Sequence, residues 1–143
     1  MIVPDVNLLL DAINKRAERN AAARVWLDRS LSGEEAVGFS WTVLVGFIRI
    51  STRPGVFATP LRPGTAFDIV QGWLERPNVL TLEPSPRHLS IVRGLLESIG
   101  TGGNLTTDAH LAALAIEHGG TIASRDHDFG RFRGVKWMDP LAD

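Results

Sequence analysis

The stretch TTDAHLAALAIEHGGTIASRDHDFGRF (106–132) runs from a helical pattern through two glycines into a short apolar segment and then a charged one. The apolar stripe at helical spacing consists of Leu111, Ala112, Ala115 and Ile116. This spacing predicts an amphipathic helix over 108–118, with Thr106 or Thr107 as its N-cap. The glycine pair ends the helix, and TIAS (121–124) predicts a strand. A helix that leads directly into a strand is typical of a parallel α/β sheet.

The same alternation of short apolar segments and amphipathic ones continues along the rest of the chain. Further strands are predicted at 1–3, 36–39, 78–82 and 135–137. Further helices are predicted at 19–31, 41–52, 65–76 and 86–99, and the proline-rich segment 53–64 is predicted to be a loop. We therefore expect one α/β domain over 1–143, with a central parallel sheet of four to five strands and helices on both faces.

One of the four tryptophans, Trp41, lies in the helix predicted at 41–52. Ser40 suits its N-cap. Its apolar stripe consists of Trp41, Leu44, Val45 and Ile48. We expect that stripe to face the core, and we expect the four tryptophans of the chain to be core residues rather than platforms for stacking bases.

Bulk composition restricts the function classes. The chain has 143 residues, a net charge of −1 and no cysteine, so disulfides and thiolate metal sites are excluded. Net charge does not mark a nucleic-acid-binding protein, although 13 of the 15 basic residues are arginines and several cluster. No segment approaches the ~18 apolar residues of a membrane span, and no secretory signal precedes the first strand. We expect a cytoplasmic protein.

Carboxylates follow two of the predicted strands. Asp5 follows the first strand, and Asp126 and Asp128 follow the strand at 121–124. In parallel sheets, ligands bind outside the carboxyl ends of the strands. Asp108 lies on the apolar stripe of its helix, so it is expected to face inward, where a carboxylate is costly unless it is paired.

Each of these residues also has a purely structural interpretation. Asp5 can be a helix N-cap with Asn7 as its hydrogen-bonding support, and Asp108 can complement the helix dipole. Asp126 and Asp128 can be turn formers. Together, however, such carboxylates repel one another, and a divalent cation would remove the conflict. Mg²⁺ prefers oxygen ligands, and the chemistry that it favours here is hydrolysis of phosphodiesters.

Three segments taken in order, MIVPDVNLLL, GNLTTDAHLAALAIEHG and IASRDHDFGRF, resemble the PIN-domain ribonucleases. The resemblance is strongest to the VapC toxins of VapBC toxin–antitoxin pairs of the mycobacterial type, and it extends to SWTVLVGFIRI and WMDPL. It implies a three-layer PIN-like fold and a Mg²⁺-dependent endoribonuclease of a type II system, with Mn²⁺ as a substitute. It also implies catalysis by metal-activated water, a cognate VapB-type antitoxin and a homodimer. The RNA substrate, whether transfer, ribosomal or messenger RNA, stays open.

The family's site residues fall on particular positions of this chain. The metal-binding acids fall on Asp5, Asp108 and Asp126, with Asp128 as a further catalytic acid. Many PIN nucleases carry a glutamate where this chain has Gly46, so a catalytically weak module that binds RNA or protein is the alternative. Beyond the family pattern, Arg49 and Arg53 share a helix face with Gly46, and Arg131 follows Asp128. We expect these three arginines to bind substrate, although Arg49 can equally pair with a site carboxylate. The histidines His110, His118 and His127 are expected to be exposed polar residues.

Overall fold

The protein is built around one parallel sheet of five short strands. Its computed structural model describes residues 1–143. The strands are β1 (Ile2–Pro4), β2 (Val37–Phe39), β3 (Val79–Thr81), β4 (Thr121–Ala123) and β5 (Lys136–Met138). Their order is β3-β2-β1-β4-β5, and every neighbouring pair is parallel. The prediction of an α/β fold with a parallel sheet of four to five strands is confirmed.

Six helices connect the strands. They are α1 (Val6–Ile13), α2 (Asn20–Ser32), α3 (Trp41–Thr52), α4 (Pro63–Leu74), α5 (His88–Ile99) and α6 (Leu105–His118). α1 packs on α2 and α3, α3 packs on α4, and α5 packs on α6. Right-handed crossovers place α1 to α4 on one face of the sheet and α5 with α6 on the other, giving the three expected layers. None of these helices combines the length and the apolarity needed to cross a membrane.

Several predicted helix boundaries were wrong. The helix α1 was not predicted, because its leucine-rich start continues the apolar character of β1. The helix α4 begins at Pro63 rather than Thr65, with the proline in its first turn, where its missing N–H costs nothing. The helix α6 begins at Leu105, one turn before the prediction, and its N-cap is Asn104 rather than a threonine.

The order of the strands determines where a ligand site can form. From β1 the chain moves outward through β2 to β3, then crosses back to β4 on the other side of β1. The order in which the chain adds strands therefore reverses between the neighbours β1 and β4. In such sheets a crevice opens outside the carboxyl ends of these two strands. The register pairs Pro4 with Ala123, so both strands end at the same level.

The buried face of α3 differs from the predicted one. The buried residues of this helix are Val43, Leu44, Phe47 and Ser51. Trp41 and Val45 are instead 49% and 58% exposed. The predicted N-cap is confirmed, because the Ser40 side chain accepts a hydrogen bond from the backbone N–H of Thr42.

Two consecutive glycines seat α6 against the sheet. Gly119 adopts the left-handed conformation (φ 68°) that ends the helix, as predicted for the glycine pair. At Gly120, a Cβ atom would lie 2.7 Å from the Cγ2 atom of Val3 in β1. This close approach holds the C-terminal end of α6 against β1.

Candidate metal centre

The acids predicted from the sequence come together at the carboxyl ends of β1 and β4. Ligand oxygens of Asp108, Asp126 and Asp128 all lie within 4.8 Å of one another. Asp5 is outside this group of three, but it follows β1 directly and lines the same cavity as Asp108. The expected inward orientation of Asp108 agrees with this position, since its carboxyl group is half-buried among the other acids.

Asp5 is held by protein groups on both of its carboxylate oxygens. One oxygen accepts from the backbone N–H of Val6 at 2.8 Å, which makes Asp5 the N-cap of α1. The other accepts from the Ser124 hydroxyl at 2.7 Å and from the Asn7 amide at 3.1 Å. The supporting role predicted for Asn7 is therefore confirmed. The pKa of Asp5 is raised, mainly because burial disfavours the ionised form, although these hydrogen bonds oppose the rise.

Asp128 lies in a short 3₁₀ helix, His127–Arg131, that follows β4 after three residues, and Asp126 is the N-cap of this helix. The Asp126 side chain caps this helix by accepting from the backbone N–H of Asp128 at 2.9 Å. The Ser124 hydroxyl in turn accepts from the backbone N–H of Asp126 at 3.0 Å. The turn-forming interpretation is therefore also correct, and the turn is what directs both carboxylates toward Asp108.

Asp108 carries the largest electrostatic cost in the cluster. Its pKa is raised to about 6, first by burial and then by the negative charges of Asp5, Asp126 and Asp128. No protein group donates a hydrogen bond to its carboxylate within the described chain, in contrast to Asp5 and Asp126. Apart from its favourable position in the first turn of α6, this carboxylate is stabilised by protonation or by a cation from outside the chain.

The donor set fits a hard divalent cation. Three carboxylates lie within reach of one ion, and neither a histidine nor a thiolate belongs to the group. Mg²⁺ and Mn²⁺ are bound by such oxygen ligands, typically together with water and substrate phosphate.

A cavity of about 120 Å³ opens beside the acids, between α1, α3 and α6. Its walls include Asp5, Asp108, Gly46 and Arg49. At Gly46, an added Cβ would meet only the Cγ2 atom of Val6 at 3.7 Å, an ordinary contact, so packing does not require glycine there. The lack of a side chain at position 46 leaves room between the acids and the exposed guanidinium of Arg49.

The other two predicted arginines lie differently with respect to this cavity. Arg53 is the C-cap of α3 and does not line the cavity. Arg131 lies with its guanidinium 3.7 Å from the Asp128 carboxylate, and both side chains are about half exposed. Arg131 is therefore near the acids, and it is already paired with one of them.

The sequence interpretation missed a chain of hydrogen bonds at the edge of this cavity. His110, expected to be an exposed polar residue, is half-buried and lines the cavity. Its Nδ1 lies 2.7 Å from Nε2 of His88, whose Nδ1 lies 2.7 Å from the Glu117 carboxylate. The expectation was wrong because the partners are 22 and 29 positions apart along the chain and meet only when α5 packs on α6. His118 and His127 are exposed, as expected.

Comparisons with known proteins agree with this geometry. The PIN-domain family matches residues 2–135. The chain is 45% identical over 142 residues to Ribonuclease VapC37 of Mycobacterium tuberculosis, covering 99% of both proteins. It is 43% identical over 143 residues to Ribonuclease VapC33 of the same organism, covering all of both. Among solved structures, VapBC-1 from nontypeable Haemophilus influenzae superposes with a TM-score of 0.69 at 19% identity, covering 99% of this chain and 100% of that one.

Because the sequence identity to that structure is low, the structural similarity supports the fold alone. The matches to the mycobacterial proteins cover complete sequences at 45% and 43% identity, which supports membership of a family. This chain belongs to the PIN-domain family, and within it to the group of the VapC proteins.

Proposed function

We propose that this protein is a divalent-metal-dependent endoribonuclease that acts as the toxin of a type II toxin–antitoxin pair in the cytoplasm. The observation that carries the proposal is the convergence of Asp108, Asp126 and Asp128 within 4.8 Å beside Asp5. The full-length similarity to proteins named as VapC ribonucleases supports RNA as the substrate. The similarity to VapBC structures supports a VapB-type antitoxin as the partner. A homodimer is included in the proposal because the resemblance to the family implies it.

Asp5, Asp108 and Asp126 would hold Mg²⁺ or Mn²⁺, with Asp128 as an additional acid. When bound, the cation would activate water and stabilise the charge that develops on the phosphate oxygens. Asp5 is suited to the fixed part of this site because Ser124, Asn7 and the N-terminus of α1 already orient it. Asp108 is suited to the exchangeable part because no protein group pairs with it.

The arginines would position the RNA. Arg49 lies across the cavity from the acids, and the space above Gly46 would admit a phosphate between them. Arg53, one turn further along α3, would contact the backbone outside the cavity. Arg131 would contact it from the side of Asp128. Contacts of this kind fix the register of the strand without reading its sequence.

The alternative of a catalytically weak binding module is not favoured. It rested on Gly46 in place of the family's usual glutamate, yet the remaining four acids lie together without that side chain. The relatives that match over their full length are named as ribonucleases.

The proposal is tested by incubating the purified protein with total RNA in Mg²⁺ and sequencing the new ends. We expect discrete cleavage that disappears in excess chelator and returns when Mg²⁺ or Mn²⁺ is added. Asp5→Asn should abolish cleavage while the circular dichroism spectrum is retained, because asparagine still caps α1. Cleavage that continues undiminished in chelator would contradict the metal-dependent mechanism.

A further inference from the structure

Trp41 is the tryptophan that departs from the prediction of a core position. It is 49% exposed at the start of α3, directly after β2. Trp73 is buried, and Trp26 and Trp137 are partly buried against the core. An indole ring left half in water forgoes much of the stabilisation that its burial would give, about 25 cal/mol per Å² of apolar surface. Exposed aromatic rings are the side chains on which unpaired bases stack in RNA-binding proteins.

The exposed indole borders a second cavity, of about 190 Å³, next to the acidic one. Its apolar walls are formed by Trp41, Leu82, Pro84 and Leu114. Thr42 and His110 line both this cavity and the cavity that contains Asp5 and Asp108. The two cavities are therefore neighbours that share a wall.

The shared wall carries a hydrogen-bonding group of fixed orientation. Glu117 accepts from the backbone N–H of Ser85 at 3.0 Å, and its second oxygen lies 2.7 Å from Nδ1 of His88. Because the Glu117 carboxylate accepts, His88 donates from Nδ1, and in its neutral form the Nε2 of His88 accepts from Nδ1–H of His110. That arrangement leaves Nε2 of His110 as an acceptor. No protein group bonds to this nitrogen, and no buried side-chain nitrogen or oxygen lacks a partner, so Nε2 is open to solvent and to a ligand.

We propose that Trp41, Pro84 and His110 form a subsite for an unpaired nucleotide of the RNA, immediately next to the phosphate that is cleaved. The base stacks on the indole of Trp41, and Nε2 of His110 accepts a hydrogen bond from an amino group of the base or from the ribose 2′-hydroxyl. This inference rests on the proposed ribonuclease function and extends it by naming where a base is bound.

A protein partner is the competing occupant, since Val45, one turn along α3, is also exposed. The geometry favours RNA because the apolar cavity lies directly beside the acidic one, with Thr42 and His110 lining both. The acceptor, Nε2 of His110, is oriented by His88 and Glu117, and a nucleotide has hydrogen-bond donors for it that an apolar protein surface lacks.

The test measures RNA binding in an Asp5→Asn background, which prevents cleavage during titration. Fluorescein-labelled single-stranded 12-mers of U, C and A, and an all-abasic 12-mer of the same backbone, are titrated and followed by anisotropy. Trp41→Ala should weaken binding of the best base-bearing strand by about 5- to 150-fold, the loss expected for one stacked base. Trp41→Phe, which keeps an aromatic ring, should retain most of the affinity. Binding of the abasic strand should be the same in all variants.

Phe67→Ala is the matched control, because Phe67 is an aromatic residue that is 58% exposed on α4 and lines neither cavity. We expect no change in its RNA affinity. The subsite is refuted if Trp41→Ala binds every strand as its parent does, or if it loses the same affinity for the abasic strand. It is also refuted if the substitution changes the mass of the protein in solution, measured by light scattering, while RNA binding is unaffected, since the indole would then belong to a protein interface.

The two proposals fail in distinguishable ways. Wild-type protein that cleaves RNA, combined with a Trp41→Ala variant of full affinity, removes the subsite and leaves the ribonuclease function in place. Wild-type protein that neither cleaves nor binds any RNA overturns both.

Discussion

Replacing Asp108 by asparagine should make the metal-free protein more stable while weakening the stabilisation that it gains from Mg²⁺. Asp108 is half-buried among three other carboxylates and receives no hydrogen bond from the protein. Asparagine has nearly the same shape and no charge, so it relieves the repulsion without creating a cavity. Residues arranged for function are often suboptimal for stability in this way.

The magnitude follows from the pKa of the Asp108 carboxyl group, which is raised from 3.8 to about 6. The folded state keeps the Asp108 proton up to about pH 6, whereas the unfolded chain loses it near pH 4. Stability is therefore lost as the pH rises through this window, and the full cost applies above it. At about 1.4 kcal/mol per pH unit the cost is at most ~3 kcal/mol. Two effects reduce this cost to about 1–2 kcal/mol: solvent screens the half-exposed carboxylate, and the first turn of α6 is a favourable position for a negative charge.

The assay is urea unfolding of wild type and Asp108→Asn in chelator, from pH 4 to pH 8. We expect the variant to be more stable by about 1–2 kcal/mol at pH 8, and we expect the difference to vanish near pH 4. Mg²⁺ at 100 times its dissociation constant should stabilise the wild type by ~2.7 kcal/mol and the variant by less. Asp68→Asn, which removes an exposed acid from α4, is the control and should change stability by less than about 0.5 kcal/mol. A variant that is no more stable than wild type at pH 8 in chelator would refute the reasoning.

Three further substitutions probe the groups around the acids. Gly46→Ala should raise the free energy of unfolding by about 0.5–1 kcal/mol, because alanine is the better helix former and its Cβ meets only Val6; a loss of stability in urea would contradict this. Ser124→Ala should lower it by ~1–3 kcal/mol, because the fully buried hydroxyl donates to Asp5 and accepts from two other groups; an unchanged urea midpoint would show that the network is dispensable. Arg49→Ala in an inactive background should reduce the slope of log affinity for single-stranded RNA against log salt by about 0.7, the value for one phosphate contact. Arg93→Ala, which removes an exposed arginine on α5 paired with Glu97, should leave that slope unchanged.

Short stretches of sequence predicted those features of the fold that depend on where one helix begins or one strand ends. The bounds of α3 and its cap by Ser40 follow from a polar residue that precedes an apolar segment. The positions of Asp5 and Asp126 after strands follow from the abrupt end of each apolar run. The order of the strands was not predictable in this way, because it depends on which crossover packs on which face. That order is nevertheless what brings β1 and β4 together and places their acids in one crevice.

The misjudged face of α3 has a different cause. This helix is apolar on two sides, so the stripe that contains Trp41 and the stripe that contains Val43 both satisfy helical periodicity. Burial selects between them only after α3 packs on α1 and α4, where the ring of Phe47 meets that of Trp73 of α4 at a tilted angle. Periodicity therefore identified the helix correctly but did not show that Trp41 and Val45 stay exposed while Leu44, in the same stripe, is buried.

The acids of the site differ in how the protein supports them, and this difference argues for an external cation. Asp5 receives three hydrogen bonds from the protein, Asp126 receives one from the backbone, and Asp128 is paired with Arg131. Asp108 receives none, and its pKa is raised by burial and then by the negative charges of the other three acids. If the cluster served only to cap helices and form turns, an unpartnered acid directed at three like charges would add cost without benefit. A cation shared by Asp108 and the neighbouring acids would turn that repulsion into attraction.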